Sequence, residues 1–166
     1  ATNDWTVVKD SGASVALQAD ALNGLVDLTS AATTDNDGSS IQGNEIWGLP
    51  STAGQRLYFE ARFQMSDVDQ MDMFIGVCEN FATNPEAIFT ASNRIGFQID
   101  DGDATPHLIT ESSDSETDTT LSGTTYDLSD ATDVTVSFVA TKGTTTDKVK
   151  FYINRTLVGT HSTNVP

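Results

Sequence analysis

Cations are scarce in this chain. Only 8 Lys and Arg stand against 24 Asp and Glu, for a formal net charge of −16 over 166 residues. A surface this acidic repels phosphate backbones and anionic headgroups, so neither nucleic acid nor a membrane surface is an expected partner. Cysteine is limited to Cys78, which excludes an internal disulfide. Cys78 lies in the apolar run MFIGVC and reads as a small buried hydrophobe. As a nucleophile it would need a nearby base, and the chain has only two histidines, His107 and His161. These are too far apart in sequence to suggest a metal pair, and both read as surface residues. No run approaches the roughly 18 apolar residues of a membrane-spanning helix.

What is present is strand and turn. Hydrophobic residues make up 37% of the chain, enough to bury a core in one domain spanning residues 1–166. RLYFEARFQM alternates strictly: Leu57, Phe59, Ala61, Phe63 and Met65 on one face, Arg56, Tyr58, Glu60, Arg62 and Gln64 on the other. That is a long strand with one buried side. MDMFIGVCEN is apolar on both faces and reads as a central strand. RIGFQI, DVTVSFVA and KVKFYI repeat the period of two, and WTVV, ASVALQ and GLVDLTS are weaker versions. TKGTTTD reads as a hairpin loop, and Asn154 with Arg155 as a tight turn. TESSDSETDTTLSG reads as a long polar loop, with room for an exposed strand. Only ENFATNPEAIF, with Pro85 at a first helical position, suits a helical turn. The expected class is an all-β antiparallel sandwich or jelly roll.

Charge is uneven along the chain. From Ile95 to Thr141 there are ten acids and no Lys or Arg. A solvated acidic face is the plain explanation, and a basic partner the alternative. Within it, IDDGDA places Asp100, Asp101 and Asp103 around Gly102. Asp hydrogen-bonds its own backbone and Gly accepts positive φ, so this reads as a turn between strands. Calcium is the rival, with Asp35 and Asp37 of TTDNDGSS as ligands from a second segment. TTDNDGSS departs from the helix-loop-helix calcium pattern, with Thr33 at its first position and Asn44 at its twelfth.

A glycosidase would need two carboxylates on a rigid strand facing a cleft. Glu60 and Asp72 each stand alone on their strands, while Asp67 with Asp69 and Asp101 with Asp103 sit in turns. No catalytic residues, metal ligands or cofactor-binding residues are therefore assigned, and the chain is not expected to be an enzyme. Trp5, Trp47, Tyr58 and Tyr152 are candidate sugar-stacking platforms, with core or sheet-edge packing the commoner use of Trp.

The order RLYFEARFQM, DVDQMDMFIGV, NRIGFQIDDGDA, DVTVSFVATKG and KVKFYINRTLVGT resembles the concanavalin A-like jelly-roll sandwich over Arg56 to Thr160. FYIN followed by TLV is similar to the penultimate hairpin of lectin and laminin-G-like domains, with Arg155 where a Gly usually follows the Asn. FEARFQMSDVDQMDMFIGV with RIGFQIDDGDA is similar to tailed-phage virion proteins of this fold, including head decoration (cement) proteins. The glucanases of the fold carry an E-x-D-x-E strand that this chain lacks.

The resemblance implies a virion protein on the outer capsid surface. It would bind the major capsid protein and assemble as a dimer or trimer. A carbohydrate-binding module or lectin, calcium-dependent in one form, is the alternative. Such sandwiches close with another strand or two after TLV, so a closing strand is expected from further residues or from a neighbouring subunit.

Overall fold

The computed structural model of the protein describes residues 5–18, 24–30, 38–43, 48–79, 84–121 and 125–166. The described chain is all-β apart from one 3-10 helix, and every strand pairing is antiparallel. It divides into two compact units, one of residues 1–47 and 80–91, the other of residues 48–79 and 92–166.

The first unit holds β1 (Trp5–Lys9), β2 (Ser14–Leu17), β3 (Val26–Thr29) and β4 (Ser39–Gly43). β1 pairs with β4, and β2 with β3. The 3-10 helix Pro85–Thr90 also belongs here. Asn84 caps it by accepting from the Glu86 N–H, and Pro85 takes the first helical position, where its missing N–H costs nothing.

The second unit is a sandwich of two four-stranded sheets. β5 (Arg56–Phe63), β10 (Val134–Thr141), β11 (Lys148–Ile153) and β12 (Thr156–His161) form one sheet, ordered β12-β11-β10-β5. β6 (Met73–Cys78), β7 (Asn93–Asp100), β8 (Asp103–Ser112) and β9 (Ser115–Thr120) form the other, in chain order. Inward side chains of both make one core, with Ile95, Phe97 and Leu108 facing Val136, Phe138 and Phe151. Phe138 stacks on Phe59 at 5.1 Å, and Phe97 meets Phe151 edge-on at 5.4 Å. Offset and edge-on contacts suit the ring quadrupole, which supplements plain burial.

Two expectations change. MFIGVC forms β6, an edge strand among the described residues, not a central one. Its outward face is apolar because Phe74 lies over Gly96 of β7, where an added Cβ would fall 2.6 Å from the ring. The polar segment after Thr110 is a hairpin in place of a long loop, and the exposed strand it had room for is β9. Ser113 and Asp114 turn with φ of 52° and 62°, and β9 returns along β8. Its Ser, Thr and Asp residues hid a strand that is exposed over most of its length. The Asn154–Arg155 turn stands as expected, with φ of 48° and 68°. Beyond β12 the chain meets the opposite sheet, where Thr110 Oγ1 donates to the Thr163 carbonyl at 3.1 Å and Asn164 donates to the Glu116 carbonyl at 3.0 Å.

Candidate functional site

The IDDGDA carboxylates serve a turn. Gly102 has φ of 84°, and Asp101 and Gly102 join β7 to β8. The Asp101 N–H donates to Asp72 Oδ1 at 2.8 Å, and the Gly102 N–H to the Asp69 carbonyl at 3.0 Å. Asp100 accepts from Gln98 Nε2 at 2.7 Å. Asp103 accepts from the Thr105 N–H, and Thr105 holds its carboxyl below the ordinary range. Nearby, a hydrogen bond shared with Asp69 pushes the Asp67 carboxyl up. Among the described residues no three His, Cys, Asp or Glu side chains converge as a metal site. Asp35, Asp37 and Trp47 lie outside the described residues.

On the outward face of the β6-β9 sheet, Arg94 is the organising residue. Its Nε donates to Glu111 at 2.7 Å, its Nη1 to Gln98 at 3.1 Å, and its Nη2 to Glu116. Its Cζ sits 5.8 Å above the Phe74 ring. The guanidinium satisfies two carboxylates and an aromatic face at once, a fork geometry that Lys could not reproduce. This explains how a charged side chain 5% exposed is tolerated.

The histidines are not simple surface residues. His161 is 5% exposed, packed edge-on against Phe151 at 5.1 Å. Its Nδ1 lies 2.9 Å from Thr110 Oγ1, and its Nε2 lies 3.0 Å from Thr119 Oγ1. Thr110 has one proton, and the Thr163 carbonyl can only accept it. The Thr110 oxygen therefore accepts from His161 Nδ1–H, and His161 Nε2 accepts from Thr119. Burial pushes the His161 pKa down, and the Asp118 charge opposes this. His107 lies between Asp118, 3.0 Å from its Nδ1, and Asp100, 3.6 Å from its Nε2. TLVGTH gave no hint of this, because its alternation makes the His slot inward only once the β-bulge in the β11–β12 pairing is known.

Cys78 is exposed at the end of β6, not buried as its apolar neighbours suggested. Protein atoms crowding its sulfur, with the Glu79 carboxylate next, push the thiol up to about 11. That is the opposite of an activated nucleophile. Trp5 is 65% exposed on β1, and its ring lies against Gly43 of β4.

The outward face of the β12-β11-β10-β5 sheet gathers most of the positive charge. Arg56 and Arg62 on β5 and Lys148 and Lys150 on β11 all point out of the sandwich. Arg155, in the turn after β11, acts electrostatically on Tyr58. Five of the eight Lys and Arg thus belong to one face. Register places Tyr58, Val139, Lys150 and Thr160 in one cross-strand row, and Glu60, Ser137, Tyr152 and Leu157 in the next. Tyr58 donates to Glu60, and this hydrogen bond pushes the phenol up, with the Glu60 charge adding to it. The two central rows therefore set Tyr58, Val139, Tyr152 and Leu157 beside Lys150 and Glu60, while Arg56 with Lys148 and, on the other side, Arg62 fall in the flanking rows.

A cleft of about 360 Å³ opens elsewhere in this unit, lined by Phe63, Met65, Val68, Tyr126, Leu128 and Ile153 among others. Compared with protein-family models, with curated proteins and with solved structures, the chain has no match.

Proposed function

We propose that the chain is a structural docking protein, and specifically a decoration subunit on the outer surface of a phage head, bound to the major capsid protein. The jelly-roll resemblance of the sequence supplies the specific role. The observation that carries the docking role is exposed apolar surface. Six of the eight large exposed apolar residues among those described belong to the first unit: Trp5, Val7, Leu17, Leu25, Val26 and Leu28. A chain with net charge −16 has ample polar residues to cover such positions. Leu17, Val26 and Leu28 share one face of the β2–β3 pair; exposed apolar side chains grouped in this way mark interaction sites, and short two-stranded sheets gain most from being covered. Binding of this kind stabilises a shell by mass action. Purified protein should co-sediment saturably with capsids lacking it, at a fixed copy number per shell. No binding at any salt concentration removes the role.

A carbohydrate-binding module is the second reading, favoured by the exposure of Trp5 and Tyr58. Saturable binding on a glycan array, lost in Trp5→Ala or Tyr58→Ala, would replace the first reading. A melt lowered by chelator would add calcium.

A further inference from the structure

We infer that the outward face of the β12-β11-β10-β5 sheet is a docking surface for an acidic protein, one that presents carboxylates around an apolar patch. The inference rests on the docking role proposed above and adds to the apolar residues of the first unit a separate surface in the second, with a partner chemistry.

Charge carries the argument. The molecule has 24 acids and 8 cations, so each cation has many possible partners within its own chain. Arg94 and Lys142 take them: Arg94 binds Glu111 and Glu116, and Lys142 binds Asp147. Lys9 donates to the Ala13 carbonyl at 2.8 Å. On the β5–β11 face only Arg62 is paired, with Asp133. Among the described residues Arg56, Lys148, Lys150 and Arg155 have no carboxylate at ion-pair distance. Four unpaired cations against the single carboxylate of Glu60 in the central rows leave a net positive face whose complement is negative.

Edge protection does not explain Lys148 and Lys150. Lysines on strands commonly blunt exposed edges, but β11 is flanked by β10 and β12 and has both edges paired.

The centre of the face says what kind of anion fits. Tyr58 and Leu157 are 59% and 49% exposed, and Val139 and Tyr152 lie between them half-buried. Tyr and Arg are the residues enriched where proteins bind proteins, and aliphatic side chains need an apolar surface opposite. A small anion or a sugar would favour a concave site, whereas this is the face of a sheet.

The test measures binding of fluorescein-labelled poly-glutamate to the full chain at low salt. Lys148→Glu/Lys150→Glu and Tyr58→Ala are compared with Lys9→Glu, a control in the first unit whose charge change equals that of Lys148→Gln/Lys150→Gln. Lys148→Gln/Lys150→Gln repeats the test without adding charge, and urea midpoints confirm folding. The expected result is saturable binding, at least tenfold weaker in the Lys148/Lys150 variants and in Tyr58→Ala, with Lys9→Glu unchanged. Absent binding, or equal loss in Lys9→Glu, overturns the inference. Tighter binding of heparin or duplex DNA through the same residues overturns it in favour of a glycan or nucleic acid. Self-association in sedimentation velocity, abolished by the same variants, overturns it in favour of a second copy. Capsid co-sedimentation is run separately: failure there with poly-glutamate binding intact removes the decoration role and leaves this surface assigned.

Discussion

His161 Nδ1 and Thr110 Oγ1 lie 2.9 Å apart across the two sheets of the sandwich, one on β12 and the other on β8. The imidazole is neutral in this arrangement, held by burial at a pKa below 6.5. The unfolded chain binds a proton at higher pH than the native chain does. Stability contributed by the neutral ring is therefore complete above about 6.5. It is lost as pH falls through the lowered native value. The difference in urea midpoint between wild type and His161→Gln should shrink as pH falls from 7 towards 5. A difference independent of pH would show that the ring does not titrate with folding.

Phe138 is fully buried between Phe59 and Phe151. Phe138→Ala removes a ring and leaves a cavity that both sheets line. A loss of about 3–5 kcal/mol in chemical denaturation is expected.

Gly76 and Gly96 face each other directly in the β6–β7 pairing. A Cβ on Gly76 would lie 2.1 Å from the Ile95 carbonyl oxygen, and one on Gly96 2.5 Å from the Ile75 oxygen. Backbone atoms cannot step aside as a side chain can. Gly76→Ala should destabilise by roughly 1–3 kcal/mol, as overpacking does, whereas Gly102→Ala would meet no atoms and only the cost of its positive φ. Thermal melts of the two variants test the contrast.

Arg94→Ala would leave Glu111, whose side chain is 13% exposed, without its partner. Removing one member of a buried pair costs about 3 kcal/mol or more. Arg94→Lys should recover only part of this, because an ammonium lacks the fork. Urea unfolding of both variants measures it.

The Cys78 thiol should alkylate slowly at pH 8, because its pKa is pushed up to about 11. The iodoacetamide rate should still be rising well above pH 9. A plateau near pH 9 would mean an unperturbed thiol.

Local chemistry made much of this fold legible. Strict alternation identified β5, since Leu57 to Phe63 and Arg56 to Arg62 must take opposite faces of any strand. Asn154–Arg155 and Asp101–Gly102 announced turns, because a positive φ is a property of the residue and its neighbours. Segments whose pattern conflicted with their place were misread. β9 carries too few apolar residues to signal a strand, and β6 looked central because Phe74 covers a glycine on the neighbouring strand.

The sequence by itself determined that the chain builds antiparallel strands, where most of them run, and that its surface is acidic. Only the tertiary structure decided which residues meet. Arg56 and Lys148 share a face because Thr141 of β10 pairs with both of them. His161 is buried because β12 carries it against β8 and β9. Strand periodicity is a short-range steric property and is written locally, whereas pairing between distant strands is settled by the shared core, which no single segment contains.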